Sequence, residues 1–222
     1  MRLIAPMLAT PGEPPEQMDG GWAAEMKYDG CRVVAAVGGG EPPVLWTRNP
    51  NVVTSSYPEV AEALTEAFGG RGRIVFDGEI VALSQGRLSF ARLQKRMNTL
   101  RPTTAVRRQV PVTYLPFDVL SADGSDLMAA WYLERRAAPT DLGHELRGLG
   151  VPVQILPHCV GVDGARHSGG RQEFRDGGRG FQTGGVALST GSARRPRSGV
   201  GHTGFAVTER IRSKGSRCRL PR

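Results

Sequence analysis

Between residues 22 and 138, short apolar runs end repeatedly on glycine, proline or aspartate, and their spacing switches between two periods. Residues 33–37, 44–47, 73–83 and 112–120 are rich in β-branched and aromatic side chains and are bounded by turn formers, which predicts strands. Residues 58–68 instead place Val60, Ala61, Ala63, Leu64 and Phe68 at helical spacing, with Pro58 at the start and glycines after the end. That pattern predicts a helix. Residues 90–97 and 127–138 also read as helices, the second carrying Leu127, Met128, Trp131 and Leu133 before a basic end at Arg135 and Arg136. Antiparallel strands with interspersed helices predict an α+β fold of two sheets.

The pattern stops near residue 164, and composition changes there. Residues 1–164 hold 16 basic and 18 acidic side chains; residues 165–222 hold 13 basic and 3 acidic, so the formal net charge of +8 resides in the tail. The tail has twelve arginines, twelve glycines and scarcely any apolar periodicity. Such a segment buries too little to offset its chain entropy, so 165–222 is expected to be disordered. Its charge suits nucleic-acid phosphates, or it is an unfolded arm without evolved purpose. A length of 222 residues suits one domain, or one and a half.

Several function classes are excluded. No apolar run approaches the length of a membrane span, and residues 1–7 are too short and too proline-broken for a signal peptide. Cys31, Cys159 and Cys218 form no C-x-x-C, which argues against a zinc ribbon and fits a reducing cytoplasm. His144, His158, His167 and His202 lack metal-ligand spacing. No G-x-x-x-x-G-K-[ST] is present, so this is not a P-loop protein.

The candidate chemistry lies at Glu25-Met26-Lys27-Tyr28-Asp29-Gly30-Cys31-Arg32, which contains K-x-D-G-x-R between two apolar runs. Desolvation disfavours an ammonium and lowers its pKa, so a lysine kept among strands is suited to attack as a neutral amine. Asp29 is placed to interact with the nucleophile or its leaving group, Gly30 lets a ligand approach the backbone, and Arg32 offers a fork for a phosphate. K-Y-D-G is also good turn chemistry, so a charged hairpin turn is the second reading of the segment alone.

Four further segments decide between the two. P-M-L-A at 6–9, T-R-N at 47–49, F-D-G-E at 76–79 and Y-L-P-F-D-V-L at 114–120, followed by Asp123 and Gly124, come in a fixed order around the lysine. Together they resemble the covalent nucleotidyltransferases, specifically bacterial ATP-dependent DNA ligases of the end-joining type. The resemblance covers residues 6 to about 136. It implies an adenylation domain over 1–164, of the nucleotidyltransferase (ATP-grasp-like) fold, with the nucleotide between two antiparallel sheets. It also implies that the OB-fold domain which normally follows is missing.

In the resembled family the lysine of K-x-D-G takes AMP from ATP, which implies that Lys27 is the nucleophile. Glu25, Asp29, Gly30, Arg32, Arg48, Glu79 and Phe117 are then implied to bind the nucleotide. Arg48 would reach ribose or phosphate, and Phe117 would stack on adenine although its apolar strand alone predicts a core role. Glu79 would serve the ribose or a magnesium ion, for which a hard carboxylate oxygen is suited. For Asp77 and Glu79 the alternative is a strand-end turn with solvated acids, and for Arg48 a solvated loop arginine. The implied cofactors are ATP and magnesium, and the implied partner is nicked or broken double-stranded DNA, with polymerase or end-joining partners. An RNA ligase or capping guanylyltransferase shares the lysine chemistry, and a basic DNA-binding fragment or pseudogene product without turnover is the non-enzyme alternative.

The family carries E-G-V-V-x-K near position 178, then D-S-x-Y-R-P-G and W-V-K, and this frame contains none of them. Residues 175–184 can be encoded by CGG GAT GGA GGG CGT GGT TTC CAA ACG GGT; read one nucleotide later, that string gives G-M-E-G-V-V-S-K-R. Residues 185–191 permit G-S-R-Y-R-P-G in the same shifted frame, and residues 198–201 permit R-E-W-V. Three matches in family order point to a slipped reading frame near residues 164–168. DNA sequencing through the codons for residues 160–222 is expected to show the E-G-V-V-x-K motif in the shifted frame. Its absence from both alternative frames overturns the frame-slip reading.

Overall fold

The computed structural model describes residues 3–6, 23–26, 28–85, 87–132, 134–137, 152–155, 159–160, 173–176, 179–182 and 186–188. The chain divides into two compact units, one comprising 1–6 and 28–156, the other 7–27 and 157–222.

In the second unit, β1 (Ala23–Met26) pairs antiparallel with both β8 (Cys159–Val160) and β11 (Val186–Leu188). β9 (Glu173–Asp176) and β10 (Arg179–Gln182) pair antiparallel with each other. Three short strands therefore fall within the stretch that composition predicts to be disordered, and the rest of 165–222 lies outside the described residues.

The first unit is an antiparallel sheet with helices, built from β2 (Cys31–Gly38), β3 (Glu41–Thr47), β4 (Ile74–Ser84), β5 (Arg87–Leu88), β6 (Val112–Ala122) and β7 (Ser125–Asp126). β2 pairs with β3 and β4, β4 pairs with β6, and β6 pairs with β7. β5 folds back on the end of β4. β3 starts earlier than the apolar run predicts and includes Pro42 and Pro43, which a strand tolerates where it has a single ladder partner.

Period-2 alternation gives this sheet two different faces. Val33, Ala35 and Val37 of β2 join Ile74, Phe76, Ile80 and Ala82 of β4 in the main core. α1 (Pro58–Phe68) completes that core with Val60, Leu64 and Phe68, and α2 (Phe90–Met97) adds Leu93. The opposite face buries Val34, Ala36, Trp46, Val75 and Leu120, against which Leu3 and Ile4 pack. The Trp46 indole N–H donates to the Ile4 carbonyl at 2.8 Å, fixing residues 3–6 to this face.

Arg96 is a buried charge beside this core. It is fully buried, donating to the carbonyls of Ser56 at 3.0 Å and Val110 at 3.3 Å and to Glu59 at 2.7 Å. One guanidinium thus ties α2 to the first turn of α1 and to the chain leading into β6. Removing one partner of such a buried pair strands the other, at a cost of about 3–5 kcal/mol.

Two elements differ from the sequence pattern. Residues 127–131 are not helical, and helix begins at 132. There the Met128 N–H is taken by the Asp126 side chain at 2.8 Å, and the Ala130 N–H by the Leu127 carbonyl at 2.9 Å, so the chain turns first. α3 (Thr104–Gln109) has no apolar periodicity to announce it, since none of its residues is buried; the Thr103 hydroxyl caps it by accepting from the Val106 N–H. Among the described residues no helix is long and apolar enough to cross a membrane.

Candidate active site

The register of β2 against β4 sets Arg32 beside Glu79 and Val34 beside Asp77. Val33 and Ala35 of β2, with Phe76 and Ile80 of β4, face the main core. Alternation therefore puts Arg32, Asp77 and Glu79 together on the opposite face.

Arg32 and Asp77 meet as a bidentate pair, Nε to Oδ1 at 2.7 Å and Nη2 to Oδ2 at 2.8 Å. Asp77 is buried and Arg32 partly exposed. Burial pushes the Asp77 carboxyl above its usual range, against the opposing pull of Arg32. Burial also works against the Arg32 charge, but the hydrogen bonds and charge of Asp77 outweigh it and the pKa moves up. Arg32 is therefore a cation held in place by Asp77.

Phe117 lies against that cation. Asp77 pairs with Asp118 and Gly78 with Pro116, so Phe117 is the extra residue of a β-bulge. It is half-buried and outside the main core, where its apolar strand alone predicts it, and the Arg32 Cζ sits 4.4 Å from its ring centroid. The next residue, Asp118, accepts a second arginine fork: Arg135 Nε to Oδ1 at 2.9 Å and Nη2 to Oδ2 at 3.0 Å.

Two glycines are dictated by close approach. The Gly30 N–H donates to Glu79 Oε1 at 3.1 Å, and a Cβ there would collide with the Ile80 carbonyl oxygen. A Cβ on Gly78 would lie 2.7 Å from the Leu115 carbonyl oxygen and from the Tyr114 ring. The Tyr114 hydroxyl donates to the Val33 carbonyl at 3.0 Å, and burial raises its pKa well above the ordinary value.

The structure thus brings together Gly30, Arg32, Glu79 and Phe117. Asp29 is exposed beside Gly30, and Arg48 is exposed one residue beyond Thr47, the β3 position paired with Val33. Lys27 lies outside the described residues, as do residues 7–9; Glu25 is described only as a backbone position of β1, paired with Ala187. Asp77 is a buried partner of Arg32, not a solvated turn acid. Asp118 and Arg135 escaped the sequence reading; the only signals for them were the P-F-D stretch and the basic end of the predicted helix. Among the described residues no group of three or more His, Cys, Asp or Glu is arranged to hold a metal ion.

Residues 6–143 match the family described as ATP dependent DNA ligase domain. A "Probable DNA ligase" of Koribacter versatilis is 34% identical over 170 residues, 73% of this chain and 27% of that protein. The "Multifunctional non-homologous end joining protein LigD" of Mycolicibacterium smegmatis is 34% identical over 68% of this chain and 18% of its own length. Among solved structures, "mycobacterial DNA ligase D complexed with ATP and MES" aligns with a TM-score of 0.59 at 31% identity, covering 73% of this chain and 48% of that one. The ligase domain of LigD from M. tuberculosis aligns with a TM-score of 0.55 at 30% identity over the same shares. The chain spans about a quarter or less of the length of these curated relatives.

The Cys31 thiol, next to this site, is pushed up to about 11 by burial and by the Glu79 carboxylate. Because the thiolate is the reactive form, iodoacetamide is expected to alkylate Cys31 roughly 100-fold more slowly near neutral pH than an ordinary thiol, and faster as pH approaches that value. Peptide mapping after timed alkylation reads this, and an ordinary rate at neutral pH contradicts it.

Proposed function

Because the chain belongs to the ATP-dependent DNA ligase family, we propose that its adenylation domain uses Lys27 to attack the α-phosphate of ATP. A P–N bond forms, the bond to pyrophosphate breaks, and the amine proton is released as lysyl-AMP is made. AMP then passes to a DNA 5′-phosphate, and the adjacent 3′-hydroxyl displaces it to seal the strand. Nicked or broken double-stranded DNA is the substrate, with polymerase or end-joining proteins as partners and the cytoplasm as compartment. The involvement of end joining rests on the name of the Mycolicibacterium smegmatis relative.

One observation carries the reading: a buried carboxylate clamps Arg32 so that its guanidinium, the Phe117 ring and the Glu79 carboxylate share one face of the sheet. A cation, an aromatic platform and a carboxylate are what a nucleotide's phosphate, base and ribose require. In this reading Phe117 stacks on adenine, Arg48 reaches ribose or phosphate, and Asp29, beside the nucleophile, acts on it or on its leaving group. Glu25 and Gly30 contact the nucleotide through the chain that flanks Lys27.

Glu79 suits the ribose, and its single carboxylate also suits a magnesium ion that arrives with most of its ligands from phosphates and water. Bound there, the ion would neutralise charge on the triphosphate. The tail from residue 165 onward is proposed to be out of frame, which would leave the family's remaining phosphate-binding lysines unsupplied.

Incubation with α-labelled ATP is expected to attach label covalently to the protein, weakly, and Lys27→Ala is expected to abolish it. Label that persists in Lys27→Ala overturns the assignment of the nucleophile. Preferential labelling by GTP overturns the choice of base in favour of a capping-type enzyme.

A further inference from the structure

Phe117 owes its place to a bulge, and a second buried ion pair stands at that bulge. Asp118 is 9% exposed and Arg135 6%. Asp118 Oδ1 accepts from Arg135 Nε at 2.9 Å and from the Val119 N–H at 2.9 Å, while Oδ2 accepts from Arg135 Nη2 at 3.0 Å. The remaining arm of the fork, Nη1, donates to the Ala130 carbonyl at 2.7 Å. Arg135 therefore joins the 130–135 segment to the strand residue that directly follows Phe117.

The ladder sets Asp77 opposite Asp118 and Gly78 opposite Pro116, and its register shifts a second time between Val75 and Phe76. What the ladder leaves undetermined is the extra residue, Phe117, whose ring has to meet the Arg32 guanidinium. A planar fork that binds both carboxylate oxygens holds Asp118 in one orientation, which a single hydrogen bond would not do. Arg32–Asp77 and Arg135–Asp118 thus fix the two sides of the Phe117 platform, the first through the ring's contact and the second through its backbone.

We propose that Asp118 and Arg135 are positioning residues that hold Phe117 for nucleotide binding. The proposal rests on the reading of Phe117 as the adenine platform. It predicts that loosening the pair weakens binding of ATP and leaves the chemical step nearly unchanged.

The test measures lysyl-AMP formation across an ATP series in the intact 222-residue chain, with equilibrium ATP binding alongside. Phe117→Leu is expected to raise the half-saturating ATP concentration about tenfold or more, the loss of one aromatic stack, with the saturating rate within about twofold. Asp118→Asn should do the same, and Arg135→Lys, which keeps the charge and loses the fork, should fall between it and the parent. Asp118→Asn combined with Phe117→Leu should be no worse than Phe117→Leu alone, since both act through one ring. Arg96→Lys serves as the purely structural control, lowering the thermal midpoint without moving half-saturation.

The outcomes separate the two ideas. An unchanged half-saturation in Phe117→Leu removes the platform reading and the positioning inference with it. A raised value in Phe117→Leu, with Asp118→Asn and Arg135→Lys behaving as Arg96→Lys does, overturns positioning alone. Additive losses in the double variant also overturn it. Should Asp118→Asn fail to fold, Arg135→Lys and the equilibrium binding series decide the matter.

Discussion

The candidate site depends on a carboxylate buried where no carboxylate would be stable alone. Asp77 lies on the middle strand of the sheet, between β2 and β6, and the fork of Arg32, with the Gly78 backbone, offsets its loss of water. The pair is therefore mutually enforcing: Arg32 offsets part of the cost of burying Asp77, and Asp77 holds Arg32 in one orientation. Everything else on that face is placed relative to the guanidinium. Phe117 packs on it, Glu79 is its cross-strand neighbour, and Gly30 closes the loop by donating to Glu79.

The two faces of one sheet are consequently used for different purposes. The face toward α1 and α2 is apolar and closed, and the buried Arg96 cation there serves to join helices. The other face is apolar only in part, around Val34, Trp46, Val75 and Leu120, and becomes charged toward Arg32 and Glu79. A strand period of two is enough to generate this division, because one strand can supply Phe76 to the core and Asp77 to the site in successive positions. The functional motifs and the core are thereby interleaved in a single stretch of chain.

That interleaving explains what could be read from the sequence. β2, β4 and β6 are legible as β-rich runs bounded by turn formers, α1 by its helical spacing, and Gly30, Arg32 and Glu79 stand out through their motifs. α3 was not, since it buries nothing, and the start of the helix at 132 was set by an aspartate side chain competing for a backbone N–H. For Phe117 the apolar strand alone points to the core, and only the resemblance points to a site; no local signal marks the bulge at which it lies. Asp118 and Arg135 are 17 residues apart, so only the fold reveals that they form a pair.

The most direct test of this account observes the Arg32 guanidinium itself. In a ¹⁵N-labelled protein, the Arg32 Nε–H resonance, assigned through Arg32→Lys, should exchange slowly with water because it is clamped to Asp77. Addition of ATP should shift it, and Asp77→Asn should return it to the rapid exchange of a solvated arginine. A slowly exchanging Arg32 signal that persists in Asp77→Asn, or one that ATP leaves unmoved, would contradict the account.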